Sequence, residues 1–379
     1  MPRTTLAELA RLFLRLGATA FGGPAAHVAM LRDEVVKRRE WLTDAEFLDL
    51  LGATNLIPGP NSTEMAIHVG WARRRWAGLV VSGAAFILPA TLITGALAWA
   101  YVRYGDLPQA RWLLYGVKPV ILAIVFQALW GLAPLAIRTW PLRALGAVAV
   151  TAAAFGVHEL AVLLGAGVVA VAAFGLRGGS GGAVCAGLGP ILPAAAGAAG
   201  LSAAASAVTL NGIFWLFCRT GAVLFGSGYV LLAFLRADLV ERLGWLTEAQ
   251  LLDAIAAGQV TPGPVFTTAT FVGWLLAGPS GALVATAGIF LPAFVFVALS
   301  TPLVPRLRAS RTAAAFLDGV NVASLALMAV VTAILGRTAI VDLPTALLGV
   351  LAALLLLRFR VNSTWLVLGG AVVGAIIAP

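Results

Sequence analysis

Asn55-Leu56-Ile57-Pro58-Gly59-Pro60-Asn61-Ser62-Thr63-Glu64 and Gln259-Val260-Thr261-Pro262-Gly263-Pro264-Val265-Phe266-Thr267-Thr268 are two versions of one stretch. Each interrupts an apolar segment with Pro-Gly-Pro. No continuous helix accommodates that, because both prolines lack an N–H donor and the glycine costs backbone order. Inside a bilayer, a break of this kind survives only where the freed backbone is buried in protein or lines a wet cavity. Two such breaks at corresponding places in two halves of a chain point to a site where a membrane carrier holds its cargo.

The rest of the chain supplies the bilayer. Of 379 residues, 61% are hydrophobic and 11% charged, and the mean hydropathy is +0.98. A soluble domain cannot hide that much apolar surface, so an all-α polytopic membrane protein is expected. The isoelectric point near 10.7 raises the question of nucleic acid. That partner is rejected, because the positive charge sits in short loops beside apolar segments, where it sets topology. Cys185 and Cys218 lack metal spacing, and His27, His68 and His158 form no metal-binding motif, so no metal and no cofactor are expected. No cleavable leader is visible in residues 1–22, where Arg3, Arg11 and Arg15 run along the apolar segment.

Residues 13–137 lie over 217–340 at an offset of 204, falling to 203 after the break. Phe13, Arg15, Gly17, Phe21 and Gly22 meet Phe217, Arg219, Gly221, Phe225 and Gly226. Trp41-Leu42-Thr43 meets Trp245-Leu246-Thr247, Val69-Gly70-Trp71 meets Val272-Gly273-Trp274, and Gly116-Val117 meets Gly319-Val320. A collinear match this long implies duplication. The domains expected are an N-terminal repeat over 1–176, a linker over 177–208 rich in Gly, Ala and Ser, and a C-terminal repeat over 209–379.

Each repeat reads alike: a short first helix (9–22, 209–226), an amphipathic segment (24–39, 228–243), and a helix opened by a capping box, Thr43 with Glu46 and Thr247 with Gln250, running into the break. A half-helix to about 73 or 276 follows, then four longer apolar segments (76–102, 112–137, 141–156 and 159–176; 281–301, 312–336, 343–357 and 363–378), giving about five membrane helices per repeat. Basic residues crowd the first half at Arg32, Lys37, Arg38, Arg39, Arg73, Arg74, Arg75, Arg138 and Arg143. The matching loops of the second half hold only Arg236, Arg242 and Arg337, and the complementary loops reverse the bias. The positive-inside rule then inserts the two repeats with opposite topology, each break being the tip of a re-entrant hairpin.

Tips entering from opposite faces would meet near the midplane, their half-helix N-termini forming a cradle for an oxyanion. Ser62, Thr63, Thr267 and Thr268 add hydroxyls there, and Asn55 and Gln259 add amides. Arg15 and Arg219 occupy equivalent places in apolar helices, where an intramembrane arginine is a functional candidate and its planar fork suits a divalent tetrahedral anion. Snorkelling to an interface is the rival reading. Lys118 is a further cation, with Asn321 at its repeat position. Glu64 and His68, one helical turn apart, either couple proton movement to transport or merely pair. Asp49 and Asp253, each about one turn after a cap, either carry protons or, as the favoured expectation, simply face water.

Phe21-Gly22-Gly23-Pro24-Ala25-Ala26-His27, Leu56 through Gly70, Phe86-Ile87-Leu88-Pro89, Phe225-Gly226-Ser227-Gly228-Tyr229, Thr261-Pro262-Gly263-Pro264-Val265 and Ile289-Phe290-Leu291-Pro292 recur in order, and together they resemble the chromate ion transporter family. The resemblance implies a duplicated, multi-pass protein of the cell's inner membrane. It implies export of chromate driven by the membrane gradient, with sulfate as the related anion. The lipid bilayer is the other partner, and a homodimer is open to it. Asn55 departs from the glutamine expected there and held by Gln259. Two alternatives stay open: sulfate uptake or exchange, and a flippase for a lipid-carrier phosphate.

Overall fold

The computed structural model describes residues 4–20, 23–54, 57–105, 107–175, 208–225, 230–300, 311–359, 361 and 363–377. Asn55 and all but the last residue of the linker at 177–208 lie outside them. Every element among the described residues is helical. In the first half these are α1 (Leu6–Thr19), α2 (Gly23–Arg32) running on into a π-helical turn (Asp33–Arg38), and α3 (Asp44–Thr54). After the break come α4 (Asn61–Tyr104), α5 (Pro108–Ala136), α6 (Trp140–Ala154) and α7 (Glu159–Ala170). The second half repeats the order with α8 (Leu210–Val223), α9 (Leu231–Leu235) and its π-helical turn (Arg236–Arg242), and α10 (Glu248–Val260). It closes with α11 (Thr268–Ser300), α12 (Arg311–Ala339), α13 (Leu343–Phe359) and α14 (Ser363–Ile377).

Local chemistry explains the starts. The Thr43 amide donates to Glu46 Oε2 at 2.8 Å while the Glu46 amide donates to Thr43 Oγ1 at 3.2 Å. Thr247 and Gln250 make the same reciprocal pair at 3.0 and 3.2 Å. Both capping boxes therefore tie down free N–H groups at the start of the helix that leads into a break.

The half-helices end close to where the sequence placed them. Within α4 the backbone leaves helical conformation at Arg74 (φ −143°, ψ 23°) and Arg75 (φ 50°, ψ −134°) in a sharp reversal, and α11 does the same at Ala277 (φ −149°, ψ 31°) and Gly278 (φ 61°, ψ −150°). Each of α4 and α11 is thus two limbs folded against each other. Small residues permit the close approach: Gly70 lies on the Gly78 carbonyl and Gly273 on that of Gly281, so a methyl at either would collide with backbone. The second copy places glycine at the left-handed turn position where the first has Arg75.

The halves are interlocked. α1 packs on α4 and α8 on α11, and α4 and α11 pack on each other. Farther along, α5 packs on α13 and α14, while α12 packs on α6 and α7, so each half's fifth element serves the other half's last pair. Among the described residues, four helices are long and apolar enough to cross a membrane and four shorter ones are apolar. Trp76, Trp130, Trp140, Trp215 and Trp365 are exposed, as suits rings that sit at the lipid headgroups. The chain is a polytopic membrane protein.

Candidate functional site

The two breaks hold the same backbone arrangement. Gly59 (φ +141°) and Gly263 (φ +95°) take conformations that side chains with a Cβ rarely adopt. The Gly59 amide donates to the Leu224 carbonyl at 2.8 Å, and the Gly263 amide donates to the Ala20 carbonyl at 2.9 Å. Ala20 and Leu224 are the C-cap residues of α1 and α8. Each break therefore docks on the end of the other half's first helix. Pro58 is half-buried, and Pro60, Pro262 and Pro264 are buried. Neither break caps its following helix with a side chain at the proline, Pro60 or Pro264.

Around the first break, Thr63 and Glu64 are fully buried and His68 is 1% exposed. Neither Thr63 Oγ1, nor either Glu64 carboxylate oxygen, nor either ring nitrogen of His68 has a hydrogen-bond partner among the described residues. Glu64 and His68 do not pair with each other. The Glu64 carboxylate packs over Gly59, where a methyl would run into it. Ser62 is buried beside them, and Ile57, Ile67, Leu79, Ala293 and Val297 close an apolar seam around the site. Leaving a buried polar group unpaired costs about 1–3 kcal/mol, so three such residues in two turns mark a place kept for something other than packing.

The second break is internally satisfied. Thr94 Oγ1, on the second limb of α4, lies 3.2 Å from Thr261 Oγ1 and 3.3 Å from Thr267 Oγ1. Thr261 donates to the Ala257 carbonyl at 2.7 Å, Thr267 to that of Pro264 at 2.9 Å, and Thr268 to that of Val265 at 2.9 Å. The hydroxyls of Thr267 and Thr268 therefore close their own turn. Gln259 Nε2 is buried and unpartnered just ahead of this break. Thr94 and Thr261 carried no signal in the sequence, since the residues that meet are 167 positions apart.

The three basic candidates are engaged elsewhere. Arg15, expected as an intramembrane cation, is 51% exposed at its side chain and pairs with Glu34 at 2.5 Å. Arg219 pairs with Asp238, and Arg242 joins it at 2.6 Å. Each acid stands 19 residues after its arginine, on the π-helical turn that follows α2 or α9. That shared spacing was the available signal. Lys118 Nζ lies 3.2 Å from Asp253 Oδ1, and Tyr101 donates to Asp253 Oδ2 at 2.9 Å. Asp253 is 4% exposed, which corrects the expectation that it faces water: burial is made affordable by a lysine and a tyrosine that only the fold delivers. No group of three His, Cys, Asp or Glu side chains able to hold a metal occurs among the described residues.

Two helix N-termini, buried hydroxyls and an unpaired amide make an arrangement able to receive an anion, with an ionisable pair standing at one of the two breaks. The family model described as "Chromate transporter" matches twice, over residues 7–172 and 211–375. A "Chromate transport protein" of Cupriavidus metallidurans is 34% identical, covering 100% of this chain and 94% of that protein. A "Probable chromate transport protein" of Synechococcus elongatus is 32% identical over 93% of this chain and 90% of its own, and a "Chromate transport protein" of Pseudomonas aeruginosa is 30% identical over 100% and 94%. No solved structure matches the chain. By a model that fits both halves and relatives similar along their whole length, this chain belongs to the chromate transporter family.

Proposed function

We propose that the chain is a secondary transporter that exports chromate across the inner membrane by alternating access, with the dianion held between two oppositely inserted broken hairpins. The observation that carries this reading is the reciprocal pair of hydrogen bonds, Gly59 to Leu224 and Gly263 to Ala20, by which each break rests on the opposite half. The reversals at Arg74–Arg75 and Ala277–Gly278 support it too, because each folds the limb that follows it back along its half-helix. Thr63 and Gln259 bind the anion directly, having buried donors with no other partner. Ser62, Thr267 and Thr268 line the same space, and Asn55 is the sequence counterpart of Gln259. Arg15 and Arg219, held by Glu34 and Asp238, contribute positive potential along the approach. Lys118 acts through Asp253, fixing α10.

The test is counterflow of labelled chromate in proteoliposomes, with sulfate as competitor. The reading expects saturable chromate exchange, weakened roughly fivefold or more in Thr63→Val by loss of one donor to a charged ligand. Exchange of sulfate in strong preference to chromate would move the substrate to sulfate. An unchanged affinity in Thr63→Val would take that residue out of the site, and undiminished transport in both Arg15→Ala and Arg219→Ala would remove the arginines.

A further inference from the structure

We infer that the first limb of α4 carries a one-sided proton path, starting at Glu64 and passing through His68 towards Trp71 and the reversal at Arg74–Arg75. This rests on the reading of the breaks as the anion site and adds the coupling ion and its route. Residues 64, 68 and 71 stand at i, i+4 and i+7 and so share one face of the helix. Every polar side-chain atom on that face is buried and unpartnered among the described residues: both oxygens of Glu64, both nitrogens of His68 and Nε1 of Trp71. The stripe spans about 10 Å of helix. It begins against Gly59 at the break and ends where Arg75 lies over the Trp71 ring, 5.9 Å from its centre, with Trp76 packed edge-on to the same ring at 4.8 Å.

The nearest neighbours of the stripe are apolar: Ile57 at the break and Ala293, Phe294 and Val297 of α11. Among the described side chains on the other packed elements, charged and titratable groups have partners of their own or face outwards. Glu8 of α1 pairs with Thr5 and Arg15 with Glu34, while Arg11 of α1 is exposed. His27 of α2 pairs with the Ala20 carbonyl at 2.9 Å, Asp44 and Glu46 of α3 with Arg32 and Thr43, and Glu248 and Asp253 of α10 with Arg236 and with Lys118 and Tyr101. A buried carboxylate and imidazole without counter-charge are stable chiefly as neutral groups, the condition in which a proton on Glu64 can be handed on. The Glu64 O–H bond breaks as a water between the two side chains takes that proton and passes one of its own to a ring nitrogen of His68, and the other ring nitrogen gives up its proton to water towards the Arg75 end. Trp71, a donor only, orients that water.

The second half cannot do this. At the 203 offset its stripe reads Thr267, Phe271 and Trp274. Thr267 is committed to Pro264, and Phe271 packs on Tyr101 at 5.3 Å. Of the two equivalent stripes, only the first carries a proton path, opening on the side of the arginine-rich reversal.

The experiment compares two fluxes in proteoliposomes of the full chain. Counterflow at equal pH moves no net proton, whereas chromate flux driven by a pH gradient requires one. In Glu64→Gln and in His68→Gln the ratio of driven flux to counterflow should fall about tenfold or more. In Trp71→Phe, which loses only the N–H, it should fall by a smaller factor. A wild-type ratio in both Glu64→Gln and His68→Gln overturns the inference. So does loss of counterflow along with driven flux in folded, membrane-inserted Glu64→Gln, since that makes Glu64 an anion-site residue. Failure of the wild-type chain to exchange chromate at all would instead defeat the reading of the breaks on which the inference stands.

Discussion

The first break and the second share a backbone and differ in chemistry. Both hold a glycine with positive φ whose amide caps the opposite half's first helix. Yet where the second break has the hydroxyl cluster of Thr94, Thr261 and Thr267, the first has Val297 and Ile57 at the positions equivalent to Thr94 and Thr261. Where the first has Glu64 and His68 unpaired, the second has Thr267 and Phe271 satisfied or packed. Duplication thus kept the glycine and its hydrogen bond to the opposite half and released the side chains to specialise. One break is locked by its own hydrogen bonds, and the other keeps polar groups free. The Lys118–Asp253–Tyr101 network follows the same division, since Asn321 replaces Lys118 in the other copy.

The strongest way to break this comparison is at the shared backbone. Gly263→Ala would put a methyl 2.9 Å from Ala90 Cβ and 3.0 Å from the Gly17 carbonyl in a left-handed conformation. Strain and collision together should cost about 3 kcal/mol or more, read as loss of folded protein in detergent. Gly59→Ala collides instead with the end of the Glu64 side chain, so the double variant Gly59→Ala/Glu64→Ala should recover part of the stability that Gly59→Ala loses. No recovery would mean that Glu64 does not lie over Gly59. Next in size, Lys118→Met leaves Asp253 buried without its cation, a loss of about 3 kcal/mol. Adding Asp253→Asn should restore most of it, and a thermal melt of the three variants checks the pair. Smallest, Thr94→Val should cost about 1 kcal/mol, because the equivalent Val297 already shows that a valine fits the corresponding limb. A cost near zero would leave the hydroxyl cluster without weight.

Much of this was legible in the sequence because it is local or repeated. Pro-Gly-Pro announces a break wherever it occurs in an apolar helix, the Thr43 and Thr247 boxes mark helix starts three residues ahead, and the offset of 204 aligns whole halves. The ends of the half-helices near 73 and 276 were visible as the ends of apolar runs, and the backbone reverses within two residues of both. What escaped is long-range: Thr94 reaching Thr261, Tyr101 and Lys118 reaching Asp253, and α5 exchanging partners with α12 all join residues whose proximity only packing decides. Arg15 and Arg219 looked like free cations for the same reason, since only the folding of the chain between them brings in contact acids that stand 19 positions on in sequence.

The most direct measurement is anomalous scattering at the chromium edge from crystals of the chain grown with chromate. The expected result is one peak between the two breaks, within hydrogen-bonding reach of Thr63 and Gln259. A peak held instead by the arginines around Glu34 or Asp238, with the space between the breaks empty, would contradict a shared anion site at the two Pro-Gly-Pro tips.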